Sequence, residues 1–237
     1  MPSSAALDES QGSRLKRGLA LVPSVFPRAH EGLPLGWSAL DEALPDGGLP
    51  RGVVELTSCS ALGGATRVAL AAVQAAQARD EKSWCAWIDP EGSLYAPGAR
   101  KAGVDLGRML VVRPPRKDLA HVAVKLAQAR AFDVLVIDYS PPALVKSAHP
   151  EAASRKRRAV LRPEVLVRKL ALLMEEGAGT VLLLTDKSAP RPIPWPVALR
   201  VELGRSPGGL MVKVVKDRLC RLGSARIAWP LHASSAR

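Results

Sequence analysis

No stretch of this chain stays apolar for the ~18 residues that a membrane-spanning helix needs, although 47% of its 237 residues are hydrophobic. The opening segment, MPSSAALDESQGSRLKRG, lacks the apolar core of a signal peptide, so a cytoplasmic setting is expected. Cysteine is scarce. Cys59, Cys85 and Cys220 have no metal-ligand spacing and sit among apolar or small residues, which predicts buried, reduced thiols and no metal site. No repeat or low-complexity block appears, and the hydrophobic content excludes wholesale disorder. The length suits one sizeable core with small appendages. Acidic residues are also in short supply: 22 Asp and Glu face 34 Lys and Arg, a net +12. Such an excess favours an anionic partner, nucleic acid first, over the plainer reading of a solvated basic surface.

What is present is an alternation. Residues 20–26 form an apolar run bracketed by prolines, suited to an edge strand. Ser38 is placed to cap a short helix carrying Leu40, Ala43 and Leu44 on one face, and residues 46–52 are a dense turn cluster. Buried strands are predicted at residues 53–56, 84–89, 109–112, 134–138 and 180–185. Helices are predicted at 65–78, 97–101 and 118–131. A further helix opens at Pro163, a favourable first position, with Leu166, Leu170 and Leu173 sharing a face and Gly177 closing it. Continuous apolar strands alternating with helices imply a parallel sheet covered on both sides, an α/β fold. The tail differs: residues 197–203, 210–215 and 225–229 alternate and are joined by glycine-containing turns, so antiparallel strands are expected along one edge.

Strand, small-residue loop and Ala-rich helix across residues 53–78 form the context of a phosphate-binding loop. That motif asks for Gly, four residues, then Gly-Lys-Ser/Thr, the Lys neutralising phosphate charge and the hydroxyl ligating Mg²⁺. Here Ser58 replaces the first Gly, Gly63 stands for the second, Gly64 replaces the Lys, and Ala65 replaces the hydroxyl; Thr66 survives one place later. Phosphoryl transfer rests on positioned charge, so neither ATP nor Mg²⁺ is expected as a cofactor and no hydrolysis is expected. Gly63 and Gly64 still offer backbone N–H groups to an anion at a helix N-terminus.

Six motifs follow one another: Gly36-x-x-x-Leu40-Asp41 with Gly47-Gly48-Leu49-Pro50-x-Gly52; Val54-Glu55; Ile88-Asp89-x-Glu91; Ala99-Arg100-Lys101-x-Gly103-Val104-Asp105; Val134-x-Val136-Ile137-Asp138; and Lys213-Val214-Val215-Lys216-Asp217-Arg218. On these residues the chain resembles the RecA recombinase core, a P-loop ATPase fold, over residues 33–230. Residues 1–32 are then an N-terminal helix and edge-strand arm, and 231–237 a tail. The resemblance implies roles. Glu91 falls where the family polarises the attacking water, and Asp138 where it orients Mg²⁺; without the Lys and the hydroxyl both are vestigial. Asp186 takes the polar sensor position, where a carboxylate repels a γ-phosphate. Lys216 and Arg218 match the basic pair that reaches a neighbour's ATP. Val25 and Phe26 lie in the strand that docks on the next protomer.

The family binds single-stranded DNA through two loops. The first would carry Arg155, Lys156, Arg157, Arg158 and Arg162; residues 151–170 hold seven basic and two acidic residues, five of the twelve excess charges. The second would carry Lys187, Arg191 and Trp195 among prolines. Trp195 is read either as stacking on a base, worth ~1–3 kcal/mol, or as packing beneath its own loop. Binding is expected to be salt-sensitive and sequence-indifferent; alternatively the basic run docks an acidic partner. Short RecA-like chains with decayed phosphate loops and no C-terminal domain resemble the ImuA family. That resemblance implies an accessory, nucleoid-associated role in DNA repair, SOS mutagenesis and translesion synthesis. Its implied partners are single-stranded DNA, RecA, an ImuB-like Y-family polymerase homologue and an error-prone replicative-type polymerase, with self-association as a further option. Two other readings stay open: a DNA-dependent ATPase whose missing Lys comes from a neighbour, and a SulA-type division inhibitor, against which the positive charge argues.

Overall fold

Strands that are apolar at consecutive positions must be covered on both faces, and the sheet is built accordingly. The computed structural model describes residues 32–59, 64–139, 163–175, 179–187 and 195–229. In chain order the elements are α1 (Ser38–Ala43), β1 (Gly52–Ser58), α2 (Ala65–Arg79), β2 (Cys85–Ile88), α3 (Ala96–Lys101), β3 (Met109–Val112), α4 (Leu119–Ala129), β4 (Val134–Asp138), α5 (Pro163–Glu175), β5 (Thr180–Asp186), β6 (Leu199–Ser206), β7 (Gly209–Asp217) and β8 (Gly223–Ala228). Among the described residues the strands form one eight-stranded sheet in the order β3-β2-β4-β5-β1-β6-β7-β8.

Strand side chains alternate between faces, and each set finds its own core. Val54 and Leu56 of β1 join Trp87, Val136 and Leu182 under α1 and α2. Val53 joins Ile88, Ile137 and Leu183 under α4 and α5, with Ala123, Leu166 and Leu170. Burying each large aliphatic side chain contributes about 1.5–3 kcal/mol, so the sheet centre holds the fold. The inner face of α2 is largely small, with Ala65, Ala69, Ala72 and Ala76 buried beside Val68 and Val73.

The expected parallel sheet with an antiparallel edge is what forms. β1 pairs in parallel with β5, and β6–β7 and β7–β8 are antiparallel. The first strand of the tail is a junction, however, because β6 is parallel to β1 on its other side. Alternation in β6 reads as antiparallel sequence, yet one-sided exposure arises at any strand near a sheet edge. Ser38 does not cap α1: Trp37 holds the cap position, with no side-chain capping bond. Asp41 acts instead, its Oδ1 accepting from the Leu35 N–H at 2.8 Å. The GGLP turn is fixed by a Leu33–Leu49 bridge whose N–H···O bonds measure 2.7 and 3.0 Å, and a Cβ at Gly48 would lie 2.4 Å from the Leu33 carbonyl oxygen.

The cysteine expectation holds only in part. Cys85 is buried, and burial pushes its thiol up to about 11. Cys59 and Cys220 are exposed, the first just beyond the end of β1 and the second at positive φ in the β7–β8 turn. Arg221 staples that turn. Its guanidinium meets Asp46 at 2.6 and 3.0 Å and Asp217 at 2.8 and 3.1 Å.

Candidate functional site

In an open α/β sheet, ligands bind beyond the carboxyl ends of the strands, so the residues there decide the chemistry. Ser58, expected within the phosphate loop, is instead the last residue of β1, paired with Asp186 and Leu203, and its carbonyl accepts from the Lys187 N–H at 3.0 Å. Gly63 lies outside the described residues. Gly64 caps α2 at φ 88° with no side-chain capping bond. A Cβ there would sit 2.7 Å from Leu210 Cδ1 and 3.3 Å from the Trp229 ring. Ala65 is buried and Thr66 exposed. The Trp229 ring is held by Trp37 at 5.9 Å between centroids, and the Arg67 guanidinium lies over it at 4.8 Å. Trp37 in turn donates Nε1–H to the Ala228 carbonyl at 3.2 Å. A side chain at Gly64 would therefore start against a leucine and a tryptophan.

The neighbouring strand ends keep their acids. Asp89, fully buried after β2, accepts from the N–H groups of Ser93 and Leu94 at 2.8 and 3.1 Å. Arg113 approaches it at 3.4 Å. The Ser93 hydroxyl lies 3.2 Å from both Asp89 and Asp138, joining the ends of β2 and β4. Glu91 is bound by Nε of Arg116. The two positions that the resemblance marks for catalysis are therefore present, with Asp138 within reach of a serine hydroxyl and Glu91 neutralised by an arginine of its own chain. Among the described residues no cluster of His, Cys, Asp or Glu is arranged to hold a metal ion.

Along the side facing α4 and α5 the structure reveals a group that the sequence reading missed. Glu55 is 1% exposed, accepts from the Thr185 hydroxyl at 2.8 Å, and pairs with Arg200 at 3.4 Å. Arg200 stands opposite Lys216 across β6 and β7. Lys216 donates to the Trp195 carbonyl; burial lowers its pKa, Glu55 opposing that effect and Arg200 adding to it. The signal was a lone carboxylate inside the run Val53-Val54-Glu55-Leu56, since a charge buried in a sheet needs a partner.

Trp195 takes the second of its two readings: it is 9% exposed, packs with the α4 and α5 core, and meets Tyr139 edge to face at 6.3 Å. Burial raises the Tyr139 pKa. A ring so enclosed has no face for a base, and the indole packs beneath its own segment. Lys187 reaches Glu202 at 2.9 Å, a bond that raises its pKa. Arg218 is exposed beside Gly52. Val25, Phe26, Arg155, Lys156, Arg157, Arg158, Arg162 and Arg191 lie outside the described residues.

Comparison with known proteins agrees with this geometry. The RecA N-terminal domain family matches residues 25–182. Protein RecA of Cutibacterium acnes is 42% identical over 159 residues, covering 65% of this chain and 44% of that protein. Protein RecA of Nocardia farcinica is 36% identical over 159 residues, covering 65% and 45%. Protein RecA of Kineococcus radiotolerans is 34% identical over 189 residues, covering 77% and 52%. The chain spans about half the length of the curated relatives it matches. With its mostly parallel sheet, its antiparallel edge and its strand-end carboxylates, the chain belongs to the RecA N-terminal domain family.

Proposed function

We propose that this chain uses a RecA-type scaffold as an accessory protein of translesion DNA synthesis, as the ImuA-like features of its sequence suggest. It binds single-stranded DNA, RecA or an ImuB-like Y-family polymerase homologue, alongside an error-prone replicative-type polymerase, and does not turn over ATP. The observation that carries this reading is the crowding at Gly64. Leu210 and Trp229 stand where a side chain at Gly64 would begin, and Ala65, in the hydroxyl position of the motif, is buried. Removing both charge-stabilising groups takes away most of what phosphoryl transfer depends on. The bound Arg116 adds to this, because its ion pair occupies a carboxylate oxygen of Glu91.

DNA contact rests on charge placement, with the basic residues 155–158 following β4. The test is fluorescence anisotropy with labelled single-stranded DNA, without nucleotide, over a salt series. Wild type is compared with Arg155, Lys156, Arg157 and Arg158 all changed to Ala. Loss of affinity together with a shallower salt slope supports the reading; equal binding by both proteins contradicts it. A chain that keeps Lys216 and Arg218 but lacks its own lysine would join or cap a RecA filament without hydrolysing, and so restrain strand exchange. No change in a strand-exchange reaction at equimolar protein contradicts that role.

Retention of Asp138 and Glu91 favours a second reading, a divergent DNA-dependent ATPase completed by a neighbour's lysine. DNA-stimulated phosphate release from the chain would establish it.

A further inference from the structure

The helix α5 begins just after the basic segment and turns Leu166, Val167 and Leu170 toward the sheet, where they are buried. Its outer face is not simply polar. Val165 is 41% exposed and Leu172 57% exposed. Seven residues apart, they stand two turns from one another on the same stripe. Arg168 and Lys169, between them, are exposed, as is Lys125 on α4, which packs beside α5 on the same side of the sheet. Three of these five positions are cationic and none is acidic. Glu175 is exposed one turn further along, at the helix end, and Glu164 is half-buried at its start.

A single exposed leucine is ordinary on a soluble protein. Two aliphatic side chains at i and i+7, with three cations beside them and acids only at the two helix ends, match the pattern of a surface that receives a helix: anchors supply burial and charge sets partner and orientation. We infer that the outer face of α5, together with Lys125, docks an acidic amphipathic segment of a partner protein. The partner's apolar residues cover Val165 and Leu172, and its carboxylates meet Arg168, Lys169 and Lys125. Nucleic acid fits this face less well. Phosphates would meet the cations, but the stripe offers no aromatic ring on which bases stack, and the two aliphatic side chains would stay in water. The inference does not draw on the phosphate loop or on residues 155–158, so it stands or falls apart from the proposed function.

The experiment uses the full chain and a fluorescein-labelled acidic peptide with leucines at i, i+4 and i+7 of a helix. Two competitors are added: a scrambled peptide whose leucines share no face, and oligo-dT. The protein variants are Val165→Ser with Leu172→Ser, and Arg168→Glu with Lys169→Glu, each checked by circular dichroism for an unchanged fold. The patterned peptide is expected to bind wild type, with each double variant weakening it ~10-fold, in keeping with anchor residues carrying most of the affinity. The scrambled peptide and oligo-dT are expected to compete poorly. No binding to wild type, equal binding of the scrambled peptide, or full competition by oligo-dT overturns the inference, the last pointing to a general polyanion surface.

Discussion

The start of α2 and the ends of β2 and β4 lie along one rim of the sheet, yet they have parted company chemically. At the start of α2 stand Gly64 and Ala65, with Leu210 and Trp229 packed against Gly64. At the ends of β2 and β4 the carboxylates remain, each held from within the chain, Asp89 by Ser93, Leu94 and Arg113, and Glu91 by Arg116. One half of the rim is small and packed, and the other has carboxylates that are paired within the chain. A scaffold buried on both faces accommodates both arrangements, because its stability comes from the sheet centre and not from the rim.

Substitutions sharpen that contrast, beginning with the buried charge of β1. Glu55→Ala leaves Arg200 and Lys216 without their buried anion, and stability is expected to fall by ~3–5 kcal/mol, read as a lower urea midpoint at unchanged slope. A loss below about 1 kcal/mol would mean that water already reaches the cluster.

Gly64→Ala tests the packed half. It adds a Cβ 2.7 Å from Leu210 Cδ1 at a φ of 88°, an overpacking and backbone strain expected to cost about 1–3 kcal/mol. A neutral effect would show that the space is open and return the ATPase reading to strength.

Arg221→Ala, away from the rim, calibrates the scale. It releases Asp46 and Asp217, and because the guanidinium is partly exposed the loss should be ~1–2 kcal/mol. It also alters the acid limb. Burial tends to raise the pKa of Asp217, but the Arg221 side chain and the backbone N–H groups of Arg221 and Leu219 outweigh it and hold the pKa below the ordinary 3.8. The stabilisation is therefore present above pH 3.8 and lost as pH falls through the lower folded value. Wild type should lose stability over that acid window more steeply than Arg221→Ala, as followed by urea midpoints in a pH series.

Arg116→Ala should do least. Its ion pair with Glu91 is well exposed, so stability should change by about 0–1 kcal/mol, measured in the same denaturation series. A large loss would make the pair a structural strut and weaken the account of it as a restraint on Glu91.

The sheet was legible because its strands are short apolar runs ending in polar residues, such as Val134 to Asp138, a pattern that burial on both faces demands. The departure from the phosphate-loop pattern at Gly64 and Ala65 was legible from those residues alone, since residue identity does not depend on packing. What covered them was not. Leu210 and Trp229 come from the antiparallel edge far along the chain, and no local pattern links them to α2. Trp195 was left between two readings, and the exposed Cys59 and Cys220 were misjudged, for the same reason: burial of a lone residue depends on what long-range contacts bring over it. Glu55 was the lost opportunity: one carboxylate inside a buried strand already announces a partner, though not that the partner is Arg200.

The central claim is that packing has replaced phosphate chemistry at α2. It is tested most directly by phosphate release from Mg²⁺-ATP in the presence of single-stranded DNA, with the Asp138→Asn chain, purified in parallel, as the control. The account predicts that both proteins release phosphate at the same background rate. DNA-stimulated release by wild type that Asp138→Asn abolishes would contradict it.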